Sequence, residues 1–156
     1  MDIKTGISTD ARQATAEALK TVLADSYATY AKAHVFHWNV RGPHFQSLHT
    51  LFMTQYNELW LALDLIAERI RALGSLTPGL GALARQTSIA EAAEDVKADA
   101  MIAELLAAHT HLIKTLRAAL APAEAANDQA TIDLLTQRLN ASEKHAWMLR
   151  ATLGEV

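Results

Sequence analysis

The sequence predicts an all-α fold: four long helices packed as a bundle, with a short extra helix in the long crossover between helices 2 and 3. Three observations carry this. Alanine and leucine dominate a chain of 156 residues that is 51% hydrophobic, a composition that favours helix. Apolar residues recur at three- and four-residue steps over four separate segments. Those segments are joined by one tight turn, one long Gly/Pro-containing connection and one shorter connection. The length suits a single domain with a real core, expected over residues 1–156, with 1–8 as a short N-terminal arm.

Taken in order, Ser8, Thr9 or Asp10 caps the first helix. Its core stripe runs through Leu19, Val22, Leu23, Ser26, Tyr27, Tyr30, His34 and His37. Arg41-Gly42-Pro43 stops it, glycine for the left-handed exit and proline for the next first turn. The second helix starts near Pro43 or His44. It carries a core stripe of Phe45, Leu48, Phe52, Tyr56, Leu59, Leu63, Ile66 and Ile70. A second stripe of His49, Met53, Trp60, Asp64 and Glu68 runs beside the first. So wide an apolar arc calls for burial on two sides, hence a partner subunit beyond the helix's own bundle. Gly74 ends it.

Residues 74–95 make a long connection, in which Thr87-Ser88-Ile89-Ala90-Glu91 reads as a capping box opening the short extra helix. The third helix carries Ile102, Leu105, His109, Leu112, Leu116 and Leu120 and ends near Pro122. Asn127 or Asp128 caps the fourth, which turns Ile132, Leu135, Leu139, Ala146, Leu149 and Leu153 inward. Short, long, short is the connection pattern of a ferritin-like four-helix bundle.

Composition excludes several functions. With no cysteine, disulfides, thiolate zinc sites and iron–sulfur clusters are ruled out. No apolar run reaches the roughly 20 residues of a membrane span, because Asp64 interrupts the best one. The N-terminal stretch lacks the apolar centre of a secretory leader, so a cytoplasmic protein is expected. The net charge of −3 comes with no basic block, which makes nucleic acid an unpromising partner.

The chemistry concentrates between His34 and Glu68. His34, His37, His44 and His49 are four of the seven histidines, and Asp64 and Glu68 follow one helical turn apart on a shared face. Imidazole with carboxylate suits iron, zinc or manganese. In a tight helical hairpin His37 and His49 lie at similar height. His49 and Asp64, however, are separated by about 22 Å along one helix, too far for one ion. Either the two groups are unrelated, or two copies pair this helix antiparallel about a two-fold axis near Tyr56. Such an axis carries His49 of one copy toward Asp64 of the other and creates two equivalent sites.

The run His37-Trp38-Asn39-Val40-Arg41-Gly42-Pro43, with Phe45, His49, Asp64 and Ala67-Glu68-Arg69, resembles the Dps family of mini-ferritins, the DNA-binding proteins from starved cells. The likeness extends over nearly the whole chain. It implies a homo-oligomer, a dodecameric hollow shell with two-fold interfaces through the second helix. It also implies ferroxidase activity: ferrous iron oxidised to ferric, preferably by hydrogen peroxide, and stored inside as mineral. By position it implies that His37 and His49 come from one subunit, and Asp64 and Glu68 from its neighbour, with Glu68 bridging. Trp38 would stand close to the irons, for packing or to intercept radicals.

Asp128 and Asp133, near Glu124, are implied to line an acidic iron-admitting pore at a three-fold axis. Helix capping and a solvated face are the alternative. One position departs from the family pattern. Met53 stands where an acidic ligand is usual, and a thioether suits iron poorly. The His49 side should bind iron more weakly unless water, His34 or His44 completes it. Zinc at the same ligands without redox chemistry is the alternative this favours. A DNA-compacting shell is disfavoured, because the arm carries only Lys4 and phosphate neutralisation needs many cations. His109, His111 and His145 are expected to be structural or exposed.

Overall fold

In a computed structural model, which describes residues 3–155, five helices follow one another: α1 (Thr9–Asn39), α2 (Phe45–Ala72), α3 (Leu80–Gln86), α4 (Ala98–Ala125) and α5 (Gln129–Thr152). The four long ones form the bundle, with α1 packed on α2 and α4, and α5 packed on α4 and α2. Among the described residues no helix is long and apolar enough to cross a membrane.

Local signals set the ends. The Ser8 hydroxyl accepts from the Ala11 amide and starts α1. Extended Val40, followed by Gly42 at φ +117°, stops it, a backbone that L side chains resist. Gly74, at φ +93°, closes α2 in the same way. The arm is tied down rather than splayed: the buried Arg12 guanidinium donates to the Ile3 and Ile7 carbonyls at 3.1 and 2.6 Å.

Three expectations on the elements are corrected. The short helix of the crossover is Leu80–Gln86, ahead of the Thr87–Glu91 capping pattern. Thr87 serves instead as its C-cap, and the Thr87 hydroxyl donates to the buried Asp25 carboxylate at 2.7 Å. The same hydroxyl also accepts from the Ile89 amide at 3.1 Å, so the local capping contact forms, but no helix follows it before α4. The third long helix does not end at Pro122 but runs to Ala125. The carbonyl that proline leaves unpaired belongs to Ala118, which is exposed and can turn to water. Finally, Phe45 is 41% exposed, outside the core. As the first residue of α2 it lies beyond the end of the bundle interior.

The core has two apolar clusters. One gathers Leu19, Val22, Leu59, Leu63, Ile66, Leu112, Leu116 and Leu135. The other gathers Phe36, Val40, Leu48, Phe52, Met101, Ile102, Leu105 and Leu149. Each fully buried side chain among them contributes about 1.5–3 kcal/mol. Between Phe52 and Leu59 on α2, Leu105 and Leu112 on α4, and Leu135 and Leu149 on α5 lies a polar layer of buried Gln55, His109, Arg138, Ser142 and His145 with half-buried Glu58. It fixes the height of α2 against α4 and α5.

Candidate metal centre

The tight turn after α1 brings His37, in the last turn of α1, against His49, in the second turn of α2. The two rings stack with centroids 3.7 Å apart and planes 16° from parallel. Nδ1 of His37 lies 2.7 Å from the carbonyl oxygen of His49, and Nδ1 of His49 lies 2.8 Å from that of His37. Carbonyls only accept, so both Nδ1 atoms must be donors. In the neutral rings the proton is then fixed on Nδ1 and the lone pair on Nε2. A backbone carbonyl on the far nitrogen is the usual partner that orients a metal-binding imidazole and strengthens its basicity. Helix end-geometry explains why the His37 carbonyl is available. Its partner four residues on would be Arg41, already outside α1, so the carbonyl is one of the orphans at the helix terminus.

Aromatic rings wall the pair. Phe45 stacks on His49 at 4.9 Å, and Tyr56 meets His37 edge-on at 5.1 Å. His34 is wedged between Trp38 at 4.0 Å and Tyr56 at 4.3 Å, and its Nδ1 shares a hydrogen bond with the Tyr30 hydroxyl at 3.2 Å. Burial, then the neighbouring His37, pushes the His34 pKa below its usual value. Trp38 is itself 62% exposed, standing on His34 at the rim.

Asp64 and Glu68 are exposed on α2, in the later half of the same helix. Around them Trp60, Leu61 and Leu65 are more than half exposed, and Met53 lies exposed on the His49 side. Among the described residues of one chain, no group of three or more His, Cys, Asp or Glu is arranged to hold a metal ion. The structure thus brings His37 and His49 together and leaves Asp64 and Glu68 apart from them, on a helix face that is apolar and uncovered.

Asp128 is found in the capping role rather than at an open surface. It is 2% exposed, caps α5 through the Thr131 amide and hydroxyl, and is paired with Arg69 at 2.6 Å. Burial would raise its carboxyl, but the bonds from Arg69 and Thr131 outweigh this and hold it below the usual range. Both oxygens are occupied, so Asp128 offers little to a passing ion. Asp133 is exposed, with one oxygen taking a bond from Gln137 at 2.7 Å.

Of the other histidines, His111 is half-exposed, while His109 and His145 are buried. The polar layer they belong to was not visible as a unit in the sequence. Its signal was Gln55 and Glu58 interrupting an otherwise apolar stretch of α2 at a three-residue step. Glu58 takes two bonds from Arg138, and His145 Nε2 lies 3.1 Å from it. Burial would raise the Glu58 carboxyl, yet His145 and Arg138 outweigh it and hold the pKa at about 2. Burial above all, then the neighbouring His145, lowers His109 to about 3.

A helical bundle of this connectivity, with imidazoles at the hairpin and carboxylates on the open face of its second helix, defines a ferritin-like protein. Residues 16–156 match the family model of the ferritin-like domain. The DNA protection during starvation protein of Brevibacillus brevis is 36% identical over 148 residues, covering 94% of this chain and 99% of that protein. Among solved structures, DpsC from Streptomyces coelicolor superposes with a TM-score of 0.93 at 28% identity, covering 98% of this chain and 91% of that one. The Dps protein of Vibrio cholerae, described as one of a broad superfamily of ferritin-like diiron-carboxylate proteins, gives 0.91 at 28% identity over 96% and 95%. The chain belongs to the Dps family of ferritin-like proteins.

Proposed function

We propose that this protein is an iron-storing ferroxidase whose sites form only between two copies of the chain. The observation that carries this is the His37–His49 pair, whose Nδ1 atoms are both engaged by carbonyls, which leaves Nε2 of each neutral ring with a free lone pair. Two imidazoles alone hold ferrous iron weakly and do nothing for the extra positive charge of ferric iron; carboxylates do that. Asp64 and Glu68 are the exposed acids on the same helix, about 22 Å along from His49, out of reach within one copy. An antiparallel pairing of α2 about Tyr56 brings them in, and covers Trp60, Leu61 and Leu65 at the same time. An isologous contact necessarily gives two sites.

Ferrous iron is the substrate. Two ions in one site supply the two electrons that hydrogen peroxide accepts. With two protons, peroxide goes to two waters and both irons become ferric, so no hydroxyl radical is released. The family's shell of twelve copies stores the product. Glu68, flanked by half-buried Ala67 and Arg69, is the bridging carboxylate, and Asp133 with Glu124 stands for the acidic pore. The cytoplasm is the compartment this chemistry serves. Binding of DNA is not part of this reading, given a net charge of −3.

Met53 favours one second reading, a zinc-binding oligomer without redox activity, because zinc needs fewer oxygen ligands. Anaerobic loading with ferrous iron, followed by hydrogen peroxide, separates the two. Ferric absorbance that grows to many irons per particle supports the ferroxidase. Saturation without oxidation supports zinc.

A further inference from the structure

The polar layer that divides the core contains its own unassigned site. Gln55 Nε2 donates to the His145 carbonyl at 3.4 Å, which turns Gln55 Oε1 toward His109 Nε2 at 3.1 Å. Nε2 of His109 must therefore donate. Nε2 of His145 faces the Glu58 carboxylate, which only accepts, so it donates as well. In neutral rings this leaves a lone pair on Nδ1 of each. Those two nitrogens and Ser142 Oγ are the buried side-chain atoms without a hydrogen-bond partner among the described residues. His109 and Ser142 are 0% exposed and His145 is 5%. Ser142 and His145 are three residues apart on one face of α5, and the His109 and His145 rings lie 5.2 Å apart at 44°.

We propose that these three atoms bind one internal water molecule. A water matches them atom for atom: it donates one hydrogen to each Nδ1 and accepts the Ser142 hydroxyl. Three polar partners are what a buried water ordinarily has. Charge argues against a metal cation. Arg138 already neutralises Glu58, so a metal cation here would enter without a counter-charge of its own, which burial penalises heavily.

The water closes a circuit. Glu58 holds His145, the water joins His145 to His109 and Ser142, His109 holds Gln55, and Gln55 returns to the His145 carbonyl. α2, α4 and α5 are thereby locked in register through the polar layer. Gln55 and Glu58 lie between His49 and Asp64 in sequence, on the helix that carries both halves of the proposed centre.

The test is a high-resolution crystal structure of the metal-free protein, with a zinc-soaked crystal beside it. The expected result is one density peak about 2.7–3.2 Å from both Nδ1 atoms and Ser142 Oγ, with no anomalous signal at the zinc edge. A zinc peak, rings in direct hydrogen-bond contact, or a dry gap would each overturn the proposal. Thermal melts give a second measurement. Ser142→Ala should lower Tm by about 2–4 °C, and that loss should largely vanish in a His109→Leu background. Additive losses would contradict a shared water.

Discussion

His37 and His49 each donate the Nδ1 proton to the other's backbone carbonyl, at 2.7 and 2.8 Å. One exchange does two jobs. It satisfies an orphan carbonyl at the end of α1, and it fixes both tautomers with Nε2 as the ligand atom. Replacing either ring should therefore cost stability even without metal. His49→Ala should destabilise the metal-free protein by about 1 kcal/mol, read as a lower midpoint in urea unfolding. A midpoint equal to that of the parent would mean the exchange contributes nothing to folding.

Met53 should weaken the His49 side of the centre. Met53→Asp is expected to raise ferrous binding per site and to quicken oxidation by peroxide, by about tenfold if the new carboxylate adds roughly 1.4 kcal/mol to transition-state binding. Anaerobic ferrous titration and stopped-flow absorbance measure both. A variant with parental stoichiometry and rate removes Met53 as a handicap.

His109 sets a pH dependence. Its folded pKa lies at about 3, below the ordinary value of 6.5. The unfolded chain then takes a proton that the folded chain refuses. Stability is complete above about pH 6.5 and falls as pH drops toward 3, by about 1.4 kcal/mol per pH unit for this one group. Urea unfolding from pH 7 to pH 4 should show that slope in the parent and a flatter one in His109→Gln. Equal slopes would locate the acid sensitivity elsewhere.

Glu58 acts in a lower window. Its pKa is depressed to about 2, so its contribution is present above about pH 4.5 and disappears as pH falls through 2. A third of its side chain faces solvent, and after that discount the contribution is on the order of 1–2 kcal/mol. Arg138→Leu should cost more, about 2–4 kcal/mol, because it strands the half-buried carboxylate. Calorimetric Tm decides; a loss smaller than that of Glu58→Gln would contradict this ordering.

Asp128 is expected to matter for folding. Asp128→Ala removes both the cap of α5 and the Arg69 pair, a loss of about 1–2 kcal/mol. Iron uptake by assembled particles should be unchanged. Uptake that slows in this variant but not in Asp133→Asn would return Asp128 to the pore.

Much of this was legible in the chain. Three- and four-residue spacing gave the four long helices, and Gly42 and Gly74 gave two of their ends. The His37–His49 pair followed from equal distances either side of a tight turn. What failed depended on tertiary partners. Thr87 looks like the start of a helix, yet it closes α3 and its hydroxyl ties that end to Asp25, sixty-two residues away. Asp128 was legible as the cap of α5, but not its burial against Arg69, which reaches it from α2. The polar layer draws its residues from three helices, and no local pattern joins Glu58 to His145.

The central claim is that one copy lends the imidazoles and another lends the acids. Co-assembly tests it most directly, by mixing His49→Ala subunits with Glu68→Ala subunits, each inactive alone. In a mixed pair one site collects both defects and the other is intact, so random mixing restores about a quarter of the sites. Rapid ferrous oxidation should recover to about that fraction of the parent. No recovery, from particles shown by mass spectrometry to contain both subunits, would contradict the shared site.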